Sequence, residues 1–553
     1  MTDSTTIYLL LPEIILIAAA TLLCVVGAFR PLRAMASLMA FGAIVIAAVV
    51  LGAQDGELKL FSGTAPFASA SGPLAVDLFG HTVRWAILAV GVVLVLITAR
   101  PQPTQQRAEE TASILLMLAG LMIAAAANEL ILLFVGLELV SIPTYIVLYV
   151  GRNDSRGQEA ASKYFFLSIL SSAVLLYGFS FLYGVAGSTR LEKIAAVVSA
   201  GVGGTADGGF NEALVPVALL LMFAGLAFRL AVVPFHFYAP DVYQGTSNAN
   251  AGLLSTLPKI AGLAVLARIL LTALPGWESL GWKVALVVSV LTMSLGNVLA
   301  LWQNNIRRML AYSSIAHAGY LLIGVAVALA MRTTKTGIAA GGFLSNTAGL
   351  NGLGAAMFYL AVYMIATLGA FAALVYLSRE RKQVNSLDDI AGLNRTHPVV
   401  ALAMVVFMFS LAGVPLFAGF WGKFSLLYSA LTLDEFSAQG AIWLRPWFVG
   451  LALVAVLNAA IGAAYYLRVI GAMYFRGAEQ KVAVAQRGLG PAAAMGICMV
   501  LVIGIGLLPG RVLDCAIRAG QAIGQPAMAH TAVDRLRNDL QTTSFPVAEN
   551  LSP

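Results

Sequence analysis

Apolar runs of about 20 residues recur along nearly the whole chain, each long enough to cross a hydrocarbon core ~30 Å thick. In lipid, every backbone N–H and C=O needs a partner within its own element, so runs of this length read as helices. The sequence therefore predicts an all-α polytopic membrane protein. Composition agrees. Of 553 residues, 60% are hydrophobic and 11% charged, against about 25% charged in a soluble protein. The net charge of +7 comes from Lys and Arg scattered singly through short loops. Without a basic cluster or an interleaved aromatic platform, it is no sign of nucleic-acid binding.

About fourteen spans satisfy the length criterion. They lie near 7–29, 35–53, 78–99, 113–127, 130–150, 163–185, 213–233, 247–271, 282–302, 309–330, 353–378, 399–423, 448–474 and 491–508. With the N-terminus outside, the inner loops hold fifteen Lys and Arg and the outer loops eight, Arg84 among them. That bias sets both termini on the outer face. The first six residues carry Asp3 and no Lys or Arg, so no cleaved signal peptide is expected. Gly- and Ser-rich outer loops near 201–209 and 336–354 read as flexible connections, and 511–553 as a loosely ordered polar tail.

One segment occurs twice. Phe228-Arg229-Leu230-Ala231-Val232-Val233-Pro234-Phe235 resembles Phe409-Ser410-Leu411-Ala412-Gly413-Val414-Pro415-Leu416, about 180 residues and five helices later. An odd number of helices inverts the second copy, the architecture of many transporters. The division is 1–110 for three N-terminal helices, 111–272 and 282–475 for two inverted five-helix repeats, 490–510 for a last helix, and the tail. Both copies place Pro inside an apolar run, which breaks a helix. Irregular backbone at membrane depth survives only when buried or lining a hydrated cavity.

Charged residues stand where lipid opposes them. Lys163, Arg229, Lys259 and Lys423 lie within or beside apolar runs, together with Glu138, His236 and His317. Four such cations would cost on the order of 10 kcal/mol unless paired or hydrated. A chain that keeps them points to proton or ion translocation. Glu138 sits mid-span, with Arg229 as a plausible counter-ion. Lys163 starts a run, where a Lys also snorkels to headgroups. Lys259 follows Pro258, and Lys423 follows the second break. Burial favours the neutral form of a Lys and makes proton exchange accessible. His236 and His317 have neither a second His nor a carboxylate at metal-ligand spacing, so no metal site is expected. Glu13, Arg268 and Arg468 fall near span ends and read as anchors.

Cys24, Cys498 and Cys515 are far apart, and neither CxxC nor haem-attachment spacing occurs. Dinucleotide and phosphate-loop motifs are missing as well. No cofactor is expected in this chain, and energy must reach it from elsewhere.

At these motifs the chain resembles the subunit N family of bacterial respiratory complex I, the NADH–quinone oxidoreductase. The resemblance rests on Phe134–Pro143 around Glu138, Ser162-Lys163-Tyr164, Val233-Pro234-Phe235-His236 and Pro240-Asp241-Val242-Tyr243-Gln244-Gly245. It continues through Asn305-Ile306-Arg307-Arg308, Ala311 to His317, and Ser410 to Phe424, spanning roughly residues 75–475. Most of these motifs belong to antiporter-like subunits in general. Pro-Asp-Val-Tyr-Gln-Gly favours subunit N, and Lys at 423 argues against subunit M. The resemblance implies a proton channel of two inverted half-channels. Lys163, Lys259, Lys423, His236 and His317 would be proton relays, and Glu138 and Arg229 a charge pair. It also implies a bacterial inner-membrane location beside subunits M and K. Flavin and iron–sulfur clusters would sit in partner subunits, with quinone as the substrate of the complex. The chain departs from the family at Arg229, where Lys is usual, and at Thr246-Ser247-Asn248-Ala249-Asn250, where a Pro-rich stretch is usual. The alternative is a subunit of a cation/proton antiporter or membrane-bound hydrogenase with the same fold.

Overall fold

Long apolar helices with short connections dominate the computed structural model, which describes residues 4–29, 35–58, 68–99, 105–152, 154–201, 208–333, 351–378, 384–433, 443–477 and 488–523. The N-terminal part holds α1 (Ser4–Leu9), α2 (Leu11–Gly27), α3 (Ala36–Leu58), an antiparallel hairpin of β1 (Ala68–Ser71) and β2 (Leu74–Asp77), and α4 (Leu78–Thr98). Next come α5 (Gln105–Ala126), α6 (Leu130–Val150), α7 (Ser155–Ala186), α8 (Leu191–Gly201), α9 (Gly208–Leu230), α10 (Tyr238–Gly245) and α11 (Asn248–Arg268). They are followed by α12 (Glu278–Leu301), α13 (Ile306–Thr333), α14 (Gly352–Leu377), α15 (Leu393–Thr396), α16 (Pro398–Ala412), α17 (Ala418–Leu431) and α18 (Arg445–Phe475). The described chain closes with α19 (Leu489–Leu507) and α20 (Gly510–Ala522).

Among the described residues, twelve helices are long and apolar enough to cross a membrane. The other two of the about fourteen spans are α2, with 17 residues, and the 399–423 span, which the structure splits into α16 and α17. Helix starts follow side-chain caps. Asp77 accepts from Gly80 N at 2.7 Å, Asp154 from Gly157 N at 2.9 Å and Ser247 from Asn250 N at 3.2 Å, each satisfying a free N–H of a first turn. The Asp154 cap starts α7 at Ser155, so Lys163 stands two turns inside the helix rather than at its beginning.

Burial sorts the helices. Every residue of α11 is buried, as are 89% of the apolar window of α13 and 83% of that of α14. For α3, α18 and α19 the share is 33%. The first three therefore form the centre of the chain and the others its rim.

Three readings of the sequence need correction. Arg84 is not an outer-loop residue: it is buried on α4, its Nη2 donating to Glu13 at 2.7 Å and to Leu9 O at 2.8 Å. Arg307, counted among the inner-loop cations, is likewise buried at the start of α13, so by the same criterion the inner count falls from fifteen to fourteen and the outer from eight to seven. Glu13 and Arg268 are not interfacial anchors either, because both are buried in ion pairs. The Arg268 guanidinium forks onto Asp77, with Nη2 to Oδ1 at 2.7 Å, and also reaches Ala125 O at 2.8 Å. Last, the tail is not loose from residue 511. Ala516, Ala519, Gly520 and Ile523 are buried at helical spacing, and α20 packs on α4 and α14. Residues 524–553 lie outside the described residues, as do most of the 201–209 and 336–354 loops. Arg468, part-buried on α18, donates from Nη1 to Leu301 O at 2.8 Å at the end of α12.

The Asp77–Arg268 pair gives a stability prediction. Arg268→Ala leaves a buried carboxylate uncompensated and should cost about 3–5 kcal/mol. Arg476→Ala, which breaks an exposed pair with Asp388, should leave the melting temperature of the detergent-solubilised protein nearly unchanged. Equal shifts would contradict the burial argument.

Candidate proton pathway

Both copies of the repeated segment are helix breaks. α9 stops at Leu230, and α10 starts at Tyr238; α16 stops at Ala412, and α17 starts at Ala418. Among the described residues, Ala231 (φ 55°) and Leu416 (φ 80°) are the non-glycine residues with positive φ, and one falls in each break. A left-handed conformation costs a residue with Cβ roughly 1–2 kcal/mol, so surrounding structure must hold both. Gly413 (φ 90°) closes α16, and a Cβ on Gly419 would stand 1.6 Å from Ser410 O. The second break thus depends on glycine at a left-handed turn and at a close backbone approach.

A broken helix exposes carbonyls at its C-terminal end. Lysines take them. Lys259 Nζ donates to Leu230 O at 3.0 Å. Lys423 Nζ donates to Leu411 O at 3.0 Å and to Ala412 O at 2.9 Å. Each ammonium therefore sits at the negative end of a half-helix, where a cation is favoured. Both lysines are buried, and neither has a carboxylate partner among the described residues. These carbonyls are what offset the cost of the buried charge.

Aromatic and imidazole groups bridge the two lysines. Lys259 Nζ is 5.9 Å from the Tyr363 ring centre, and Tyr363 is 4.8 Å from His317, ring centre to ring centre. Tyr363 OH donates to Ser314 Oγ at 2.8 Å. Tyr359 OH bonds to His317 Nδ1, and Tyr466 OH meets Nε2 at 2.9 Å. Tyr320 lies 6.0 Å from Tyr359 and carries Lys423 Nζ 5.1 Å over its ring. The order Lys259, Tyr363, His317, Tyr359 with Tyr320, Lys423 crosses the buried centre from one break to the other.

A second cluster lies nearer the surface. Arg229 Nη2 is 3.2 Å from Glu138 Oε1, and Arg229 Nη1 donates to Ser141 Oγ at 2.6 Å. Ser172 Oγ donates to Glu138 at 2.5 Å and accepts from Arg229 at 3.1 Å. The Arg229 side chain is 4% exposed and that of Glu138 24%, so the acid is the more exposed member of the pair.

Lys163 joins neither cluster directly. Its Nζ lies 2.7 Å from Glu159 and 3.1 Å from Asp241, and Asp241 accepts from Arg308 at 2.7 Å. Its side chain is 42% exposed. His236 is half-buried in the first break. Among the described residues no hydrogen bond joins its ring to the three lysines or to His317. No three His, Cys, Asp or Glu come together as a metal-binding group among the described residues.

Sequence reasoning missed the tyrosines. Tyr320, Tyr359, Tyr363 and Tyr466 look like ordinary apolar helix residues, and only folding brings the hydroxyls of Tyr359 and Tyr466 to His317, that of Tyr363 to Ser314 and the Tyr320 ring under Lys423. Asp241 was legible only as part of its motif, because its partners Lys163 and Arg308 come from helices 78 and 67 residues away.

Residues 127–443 match the model of the NADH:quinone oxidoreductase/Mrp antiporter membrane family. A NADH-quinone oxidoreductase subunit N from Trichlorobacter lovleyi is 37% identical over 85% of this chain and 88% of its own length. A chain of respiratory complex I from Thermus thermophilus, solved with bound aureothin, superposes with a TM-score of 0.68 at 28% identity. That match covers 91% of this chain and 99% of the other. A chain of the Mrp complex from Dietzia shares the fold, with a TM-score of 0.71, 22% identity, and coverage of 95% and 99%. Broken helices, buried lysines and these likenesses together place the chain in the NADH:quinone oxidoreductase/Mrp antiporter membrane family, among the NADH-quinone oxidoreductase subunit N proteins.

Proposed function

We propose that this chain is a proton-translocating membrane-arm subunit of an NADH–quinone oxidoreductase. The observation that carries the reading is the line from Lys259 to Lys423, in which each lysine holds the carbonyl end of a broken helix. A lysine amine so placed has a reason to take a proton and become an ammonium when the half-helix end faces it, and to release that proton when the end moves. Lys163, Lys259, His236, His317 and Lys423 are the relay groups in this reading. Residues 111–272 and 282–475 form the two half-channels. Arg229 and Glu138 form a charge pair that biases the first of them.

The complex would sit in the bacterial inner membrane, with both termini of this chain outside and subunits M and K as neighbours. Flavin and iron–sulfur clusters belong to partner subunits, and quinone is reduced there. This chain's own residues bind, hold and pass protons. A shift along the buried charges would bring redox energy to them.

Purification of the native complex through a tag on this chain should co-isolate flavin- and iron–sulfur-containing subunits. It should also yield NADH-driven, quinone-dependent acidification in proteoliposomes. The chain purified alone should bind neither NADH nor flavin. A complex lacking flavin and iron–sulfur partners would overturn the reading in favour of a cation/proton antiporter.

A further inference from the structure

His317 is held on both ring nitrogens by phenols that come from two other helices. Tyr359 on α14 bonds to Nδ1, and Tyr466 on α18 meets Nε2 at 2.9 Å. Tyr466 OH also bonds to Ser313 Oγ, one turn before His317 on α13 and nearer its N-terminal end. Beyond Tyr359 lies the second break: a Cβ on Gly422, beside Lys423, would touch Tyr359 Cδ2 at 2.9 Å. All four side chains are buried.

We propose that Ser313, Tyr466, His317 and Tyr359 form a hydrogen-bonded wire feeding the Lys423 side of the channel, with the two tyrosines as relay residues. The proposal rests on the proton-translocating reading of the same site. A neutral imidazole has one N–H and one acceptor nitrogen, so one tyrosine donates to it while the other accepts. In one polarity Ser313 donates to Tyr466, Tyr466 to Nε2, and Nδ1–H to Tyr359. In the other every bond is reversed. Passage of one proton converts one polarity into the other. A proton enters Ser313 Oγ from water and the serine's own proton goes to Tyr466. That of Tyr466 goes to Nε2, that of Nδ1 to Tyr359, and the proton of Tyr359 leaves toward Lys423. One proton enters, one leaves, and no group ends with a net charge.

Tyr465 supplies an internal comparison. It is as buried as Tyr466, next to it on α18 and in ring contact with it at 4.4 Å, and its hydroxyl lies near Tyr466 and Ser313, but it makes no bond to His317. Asn297 Nδ2 donates to Met293 O at 3.0 Å and to Asn458 Oδ1 at 3.2 Å. Asn297 Oδ1 is thus an acceptor, and Tyr465 OH must donate to it, at 3.0 Å. The Tyr465 proton goes to Asn297 rather than to His317.

The test uses the assembled complex in proteoliposomes, with NADH-driven acidification as readout. Tyr466→Phe and Tyr359→Phe should each lower pumping several-fold, and Tyr465→Phe should lower it less than either. Fluorotyrosine at 359 or 466 keeps ring and hydrogen bond but makes the phenol more acidic. It should shift the pH profile of pumping to lower pH without altering the melting temperature, and it serves where a Phe variant does not assemble. Equal losses in all three Phe variants would overturn the wire by assigning the effect to packing. Wild-type pumping in Tyr466→Phe and Tyr359→Phe, with Lys423→Ala impaired, would overturn the wire and leave the site reading standing. Wild-type pumping in Lys423→Ala as well would remove the site reading itself.

Discussion

Lys423→Arg should keep the stability of the protein and lose its pumping, whereas Lys423→Ala should lose both. The lysine is both the cap on Leu411 O and Ala412 O and the proposed proton carrier. An arginine still donates to those carbonyls at the end of α16 but stays protonated, since its pKa exceeds ~12 in proteins. Alanine removes cap and carrier together. A buried hydrogen bond to a charged group contributes about 1.5–3 kcal/mol, so a shift of several degrees in melting temperature should separate Ala from Arg. Pumping should fall several-fold in both, with the complex still assembled. Lys259→Arg and Lys259→Ala should repeat the pattern through Leu230 O, with the single bond giving a smaller stability loss. Retained pumping in Lys423→Arg would show that the residue is a cap only.

The second large effect belongs to Arg229. Arg229→Ala strips Glu138, Ser141 and Ser172 of the same guanidinium and leaves a carboxylate without its counter-ion. Breaking one side of such a pair should cost about 3–5 kcal/mol, visible as poor assembly and impaired pumping. Arg229→Lys keeps the charge and should retain much of the pumping. Glu138→Gln should impair pumping by itself, because the bias on the first half-channel goes with the charge. The double variant Arg229→Ala with Glu138→Gln should assemble better than Arg229→Ala alone. The diagnostic comparison is assembly measured in blue native gels. A double variant no better than the worse single one would mean that the contact contributes nothing as a pair.

Legibility in the sequence followed sequence distance and chemistry. The spans were readable because lipid imposes the same length on each. The two breaks were readable because Pro234 and Pro415 sit in matching apolar surroundings. Lys259 and Lys423 stood out as cations where lipid forbids them, but their partners did not, since those are backbone carbonyls freed by the breaks. Glu13 with Arg84 is separated by 71 residues and Asp77 with Arg268 by 191. Nothing local marks such pairs, so their members read as anchors or loop charges. The tyrosines around His317 were hidden for the opposite reason: a phenol in an apolar helix resembles packing until folding shows what its hydroxyl meets. α20 was lost in a polar tail because its buried stripe is made of Ala516, Ala519 and Gly520, small residues with little hydrophobic weight.

The central claim is that protons cross through the lysine line of this chain. The direct measurement is NADH-driven acidification by the purified complex in proteoliposomes, comparing wild type with a Lys259→Met, Lys423→Met double variant of matched flavin content and assembly. A several-fold lower rate of acidification in the double variant is the result predicted here. A wild-type rate from a fully assembled double variant would contradict it, because protons would then be crossing without either buried lysine.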